Sequence, residues 1–253
     1  MVLERIVKTK RSFVQSLPKP ALNQDLTPEQ SYNFFEALQT PGLNVIAELK
    51  SESPSEGVIK KNYDPVAIAQ EYVKGGASCI SVLTDEPFFG GSFADLHKVR
   101  QAVNVPLLCK DFIIDKRQVY AAKQNGADAV LLIVRILEAI ELKKLKAVIE
   151  SLNMLPVIEV FDEEDLNIAL ELNPRILLVN NRNLDSLKLD MSNTDSLLTA
   201  IPQHIKIIAA SGLQIPEDVK NYDSRIENIL VGTMLMRSNH PAACIQELKQ
   251  CRA

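Results

Sequence analysis

Histidine and cysteine are scarce in this sequence, and those present are scattered. The 253 residues hold three histidines, His97, His204 and His240, and four cysteines, Cys79, Cys109, Cys244 and Cys251. None forms a His-x-x-His or Cys-x-x-Cys pair, which argues against a transition-metal site. A chain of this length builds its core without covalent staples, so the cysteines read as reduced thiols of a cytoplasmic protein. Long apolar runs are missing as well. The opening stretch MVLERIVKTKRSFVQSL mixes acidic and basic residues throughout and reads as neither a signal peptide nor a membrane span. The formal charge is −4 and no basic arm stands out, so neither nucleic acid nor membrane is expected as a partner. Local positive charge in a cleft remains compatible with that total. Nucleotide loops are absent too. Ser53-Pro54-Ser55-Glu56-Gly57 lacks the Gly-Lys-Ser/Thr ending of a phosphate loop, and no G-x-G-x-x-G turn follows the first apolar run.

What the sequence does contain is a repeat. From residue 44 onward, eight short apolar runs recur: NVIAEL (44–49), CISVLT (79–84), VPLLCK (105–110), AVLLIV (129–134), LPVIEV (155–160), ILLVNN (176–181), KIIAAS (206–211) and NILVGT (228–233). Each is apolar on both faces, as buried parallel strands are. Helix signals lie between them. Asp64-Pro65 supplies an N-cap and a first-turn proline, and Gly75-Gly76 ends that helix. Asp115 opens a second helix that stops at Asn125-Gly126, Asp162 caps a third, and Pro216 opens a fourth. Eight strand–helix units in this length predict a single α/β domain, a closed (β/α)8 barrel of the TIM type spanning 1–253. About the first 43 residues fall outside the repeat and read as an N-terminal helical extension. Two helices are expected there, in LERIVKTKRSFVQSL and in TPEQSYNFFEAL, the second starting near Thr27-Pro28. The terminal PAACIQELKQC reads as the last barrel helix rather than the start of a fused enzyme.

In such a barrel the C-terminal strand ends share one face, and chemistry sits there. Those ends are polar in this chain: Glu48 and Lys50, Thr84 and Asp85, Lys110 and Asp111, Glu159, Asn180-Asn181-Arg182, Ser211-Gly212 and Gly232-Thr233. The fourth run alone ends apolar, in Leu132 and Ile133. Glu48 and Lys50 share parity, so both side chains point toward one pocket. A lone charge at a strand end is usually just solvated; the repetition on strand after strand points to a site. Lys110, approached by apolar residues, suits proton transfer, and Glu159 is the matching carboxylate. The plainer alternative is a structural Lys110–Glu159 ion pair. The glycine turns after the seventh and eighth runs are where such barrels hold a phosphate. Cys109 neighbours Lys110 and therefore points into the packed outer core. His97 falls in a helical segment and is expected at the surface.

Taken in order, IAELKSESPSEG, SVLTDEPFFGGS, LCKDFIID, GADAVLLIVRIL, VIEVFDEEDL and VNNRNLDSLKLD resemble the indole-3-glycerol-phosphate synthase family of tryptophan biosynthesis over nearly the whole chain. The resemblance implies a carboxy-lyase that uses no metal or organic cofactor. Its substrate would be the anionic 1-(2-carboxyphenylamino)-1-deoxyribulose 5-phosphate. The reaction would close a pyrrole ring, release carbon dioxide and dehydrate to indole-3-glycerol phosphate. It further implies Lys110 as general acid in ring closure, and Glu48 and Lys50 as the pair for dehydration. Glu159 would be a base or a stabiliser of positive charge, and Asn180 would orient a substrate hydroxyl. Ser53, Phe112, Leu131, Arg182 and Leu184 are implied as substrate-binding, and Ser211, Gly212, Gly232 and Thr233 as phosphate-binding. A monomer or weak homo-oligomer is expected.

The sequence departs from the family at two places. Members usually read Glu-Ser-Gly after the seventh strand, where this chain has Ala210-Ser211-Gly212. A polar residue is also usual where Phe161 stands. Two competing readings follow: a catalytically impaired barrel that only binds a phosphate ligand, and a phosphosugar isomerase of the same fold. The isomerase would want a Cys/Asp acid–base pair where this chain offers Lys and Glu.

Overall fold

A computed structural model describes residues 2–18 and 30–252. Its centre is a closed barrel of eight parallel strands: β1 (Asn44–Leu49), β2 (Cys79–Leu83), β3 (Leu107–Lys110), β4 (Ala129–Ile133), β5 (Leu155–Val160), β6 (Ile176–Asn180), β7 (Lys206–Ala210) and β8 (Asn228–Val231). Each strand pairs with its sequence neighbour, and β1 closes the ring by pairing with both β2 and β8. The eight apolar runs are these eight strands. A short antiparallel hairpin, Glu52–Ser53 with Gly57–Val58, rises from the loop after β1.

Strand parity sorts the apolar residues into two layers. Along β1, Ile46 belongs to the barrel interior with Leu108, Leu131, Val157, Leu178, Ile208 and Leu230. Its neighbours Val45, Ala47 and Leu49 belong to the layer between sheet and helices. All six residues of β1 are buried because both faces are covered. Cys109 lies in the outer layer, as its parity requires.

The helix boundaries follow local chemistry. Helix α1 covers Val2–Ser16, and α2 is only Phe34–Ala37, capped by the Asn33 side chain. The second N-terminal helix is thus much shorter than its sequence suggests; the expected start at Thr27 lies outside the described residues. The Asp64 carboxylate accepts the Val66 and Ala67 N–H groups to start α3 (Pro65–Lys74). Next come α4 (Glu86–Phe89), capped by Asp85, and α5 (Phe93–Ala102), on which His97 is exposed. A capping box of Asp115 and Gln118 starts α6 (Lys116–Gln124). Gly76 and Gly126, both at positive φ, end α3 and α6 where glycine was expected to. Then follow α7 (Ala139–Ser151), α8 (Glu163–Leu170), capped by Asp162, and α9 (Asn193–Leu198). Pro216 opens a helix where expected, and it is of the 3-10 type, over Pro216–Asn221. After β8 the chain forms a short α10 (Thr233–Arg237), then α11 (Pro241–Gln250). No helix among the described residues is long and apolar enough to cross a membrane.

Candidate active site

The C-terminal strand ends open into a cavity of about 520 Å³. Every residue that the resemblance implied for the site lines it: Glu48, Lys50, Ser53, Lys110, Phe112, Leu131, Glu159, Asn180, Arg182, Leu184, Ser211, Gly212, Gly232 and Thr233. Some other strand-end polar residues do not. Asn181 turns outward and is fully buried, donating to Tyr222 Oη and accepting from the Thr194 N–H and hydroxyl. It knits the loops after β6 and β7 together. Thr84 and Asp85 lie behind the wall, and Asp111 touches the cavity beside Lys110. Phe161 is not among the lining residues; its ring packs under the Arg135 guanidinium.

Glu48 and Lys50 point inward together, as their parity predicts, and Lys50 Nζ donates to Glu48 Oε1 at 2.7 Å. Glu48 is nearly fully buried. Burial pushes its carboxyl up, but the ammonium groups of Lys50 and Lys110 outweigh that and hold it below its ordinary value. It is therefore an anion at neutral pH. Gly232 passes against this pair: a Cβ there would run into Glu48 Oε1 and stand 2.9 Å from Lys50 Nζ. The glycine is what lets the last strand approach the charges so closely.

Across the barrel, Glu159 is 2% exposed. Asn180 Nδ2 donates to its Oε1 at 3.1 Å, while Oε2 has no hydrogen-bond donor and lies 3.6 Å from Lys110 Nζ. Asn180 is held in turn. Its Oδ1 accepts the Arg182 N–H at 3.0 Å and the Ser211 hydroxyl at 2.9 Å. Ser211 sits at φ 71°, a left-handed conformation rare for a residue with a side chain, followed by Gly212 at φ 109°. Such strain collects at functional turns. Cys109, buried and outward, has its thiol pushed up to about 12 by burial, so it supplies no acid–base chemistry here.

The lining carboxylates are mostly matched. Glu48 has Lys50, Glu159 faces Lys110, and Asp111 pairs with Lys10. Glu56 pairs with Arg237 at 2.6 Å, tying the hairpin after β1 to α10. Arg182 has no carboxylate within ion-pair distance among the described residues; its Nη1 donates to the Leu187 carbonyl. Among the described residues, no group of three or more His, Cys, Asp or Glu side chains is placed to hold a metal ion.

Several lining residues were not foreseen from the sequence: Val2 and Ile6 of α1, Phe89 of α4, and the Glu56–Arg237 pair. The signal for α1 was present. Leu3, Ile6, Lys10 and Val14 form its buried stripe, and a lysine on an apolar helical stripe marks a buried charge that needs partners.

The model of the family described as indole-3-glycerol phosphate synthase matches residues 3–248. The indole-3-glycerol phosphate synthase of Rippkaea orientalis is 42% identical over 98% of this chain and 89% of its own length. That of Acetivibrio thermocellus is 38% identical over 98% and 99%. Among solved structures, the tryptophan synthase subunit alpha of Legionella pneumophila superposes with a TM-score of 0.64, covering 87% of this chain and 98% of its own. Salmonella typhimurium 3-hexulose-6-phosphate synthase gives 0.62, covering 83% and 98%. Both share only 14% identity with this chain and so speak to the barrel fold alone. Matched from end to end by the family model and by full-length relatives, the chain belongs to the indole-3-glycerol phosphate synthase family.

Proposed function

We propose that the chain works as the carboxy-lyase of its family on residues named here. It takes 1-(2-carboxyphenylamino)-1-deoxyribulose 5-phosphate to indole-3-glycerol phosphate, with loss of carbon dioxide and water. The observation that carries the assignment of roles is the Lys110–Glu159 arrangement: an ammonium and a buried carboxylate oxygen without a hydrogen-bond donor, face to face in the cavity.

Ring closure sends the aromatic carbon onto the ketone carbon, and the ketone oxygen must gain a proton. Lys110 supplies it as general acid. The attacked ring becomes cationic until carbon dioxide leaves, and the Glu159 side chain stabilises that charge from the opposite wall. Dehydration then needs a proton on the departing hydroxyl and a base for the remaining N–H or C–H proton. Lys50 and Glu48 form that second pair, already joined by a hydrogen bond. Asn180, fixed by the Arg182 N–H and the Ser211 hydroxyl, orients a substrate hydroxyl. Phe112, Leu131 and Leu184 give the aromatic ring an apolar wall, while Arg182, which has no carboxylate partner among the described residues, offers its cation to the substrate's anionic groups. Ser211-Gly212 and Gly232-Thr233 hold the phosphate on backbone N–H groups.

Ala210 lines the cavity and motivates the second reading, a barrel that binds the substrate without turning it over. Incubation with the carboxyphenylamino substrate separates the two. Release of carbon dioxide with appearance of indole fluorescence supports the lyase. Saturable binding with neither signal supports the binding protein and overturns the proposal.

A further inference from the structure

Lys10, on α1, is 2% exposed and stands between two carboxylates that are themselves buried. Its Nζ lies 2.6 Å from Asp111 Oδ1 and 3.0 Å from Asp85 Oδ2. Both aspartates are anchored elsewhere. Asp111 accepts the Phe112 N–H at 2.7 Å and the Thr84 hydroxyl at 3.0 Å. Asp85 accepts the Phe88 N–H at 2.9 Å as the cap of α4. One ammonium therefore ties together three pieces of the cavity wall. Asp111 follows Lys110 directly and precedes Phe112. Asp85 starts the helix that carries Phe89, whose ring lies 5.9 Å from that of Phe112. Lys10's own helix brings Val2 and Ile6 to the cavity.

Stability alone is a poor explanation for this trio. Burying three charges costs desolvation that their mutual attraction roughly repays, and well-packed apolar residues often do as well. Geometry is a better one. Lys110 Nζ is held only loosely by Glu159, so the direction of its side chain depends on where the end of β3 is fixed. That end is held on one side by the β2 ladder, where the Thr84 N–H donates to the Lys110 carbonyl at 3.1 Å, and beyond the strand by Asp111.

We infer that Lys10 is a positioning residue of the reaction: acting through Asp111, it sets the place of Lys110 at the end of β3, and through Asp85 it sets the facing aromatic wall. The inference rests on the reading of Lys110 as general acid. Lys10 does not touch the substrate; its effect is on where the proton donor stands.

The test is steady-state kinetics of Lys10→Met, Lys10→Arg and Lys110→Met in the full chain, at a temperature where circular dichroism shows each variant folded. Lys10→Met should lower kcat about 10- to 100-fold, the size of effect that a misplacement on the order of 1 Å produces, with KM little changed. Lys10→Arg, which keeps a cation between the two carboxylates, should recover most of that loss. Lys10→Met leaves two aspartates buried without their cation. If it fails to fold, Lys10→Met/Asp85→Asn replaces it, because asparagine still caps α4 while one uncompensated charge is removed. An unchanged kcat in either folded variant overturns the inference. So does a loss confined to KM, which would mean that Lys10 only holds α1 against the cavity. Lys110→Met keeps the two questions apart. If it retains kcat, the general-acid reading fails. If it is inactive while Lys10→Met works normally, only the positioning role of Lys10 fails.

Discussion

Lys110 Nζ stands 3.6 Å from Glu159 Oε2, near enough for ionic attraction and too far for a hydrogen bond. The other lysine of the site is different: Lys50 is hydrogen-bonded to Glu48 at 2.7 Å. One lysine is thus tied and the other free to turn toward a ligand. A purely structural ion pair between buried groups would be expected to close the gap and satisfy Glu159 Oε2, which has no donor here. The open geometry suits a site that completes its hydrogen bonds when substrate arrives.

Lys110→Met should accordingly lower kcat by roughly 10²- to 10⁴-fold, the usual contribution of a positioned general acid. Circular dichroism and the binding of inorganic phosphate at the Ser211–Thr233 end should be preserved. A variant turning over at close to the wild-type rate would remove Lys110 from the mechanism.

Activity should be indifferent to metal. The described residues offer no cluster of three or more His, Cys, Asp or Glu side chains suited to an ion, and the proton transfers are all assigned to side chains of the chain itself. Assays in excess EDTA should match those without it. Loss of activity that is restored by a divalent cation would contradict this.

Much of the site was legible because strand periodicity is strict. Alternation alone sent Glu48 and Lys50 inward together and turned Cys109 away from Lys110. The glycine joints of α3 and α6 fell where Gly76 and Gly126 predicted. What periodicity cannot supply is the partner of a group across the fold. Lys10 and Asp111 are 101 residues apart in sequence, and only packing of α1 over the barrel mouth brings them together. Glu56 and Arg237 are further apart still. The helix at Pro216 was legible but its 3-10 type was not, for a local reason: proline favours the first turn of either helix type, and it says nothing about the hydrogen-bond spacing that follows.

Acid should weaken the fold partly through Glu48. Its carboxyl is held below the ordinary value of 4.5 in the folded protein, since the attraction of Lys50 and Lys110 outweighs the effect of burial. A depressed carboxylate contributes stability above its unfolded value and loses it as the pH falls through the folded one. Glu48→Gln should therefore be less stable than wild type at pH 7, and the difference should shrink as the pH drops below about 4.5, the range in which an ordinary glutamate titrates. Urea unfolding of both proteins at pH 7 and at progressively lower pH measures this. A difference that stays constant with pH would show that Glu48 acts through packing rather than through its charge.

Ala210 is the register partner of Asn180 across β6 and β7, and Asn180 in turn donates to Glu159. A carboxylate at position 210, which the family resemblance implies, would stand next to Asn180, the proposed orienting group, and two strands from Glu159, with β6 between them. Like charges in one site raise each other's pKa, so a cavity without that carboxylate leaves Glu48, already held down by Lys50 and Lys110, more readily ionised. It also leaves Arg182 unopposed, which favours a substrate bearing a phosphate and a carboxylate. On that reading, alanine at position 210 trades a proton-transfer group for easier binding of an anion. Ala210→Glu should reverse the exchange: kcat should rise as a further proton-transfer group enters the site, and KM should weaken as negative charge is added. Steady-state kinetics of the variant, with its fold checked by circular dichroism, decides the matter. A fall in kcat with folding intact would show that the side chains around position 210 have repacked to suit alanine, and that the missing carboxylate is not a part that simply fits back.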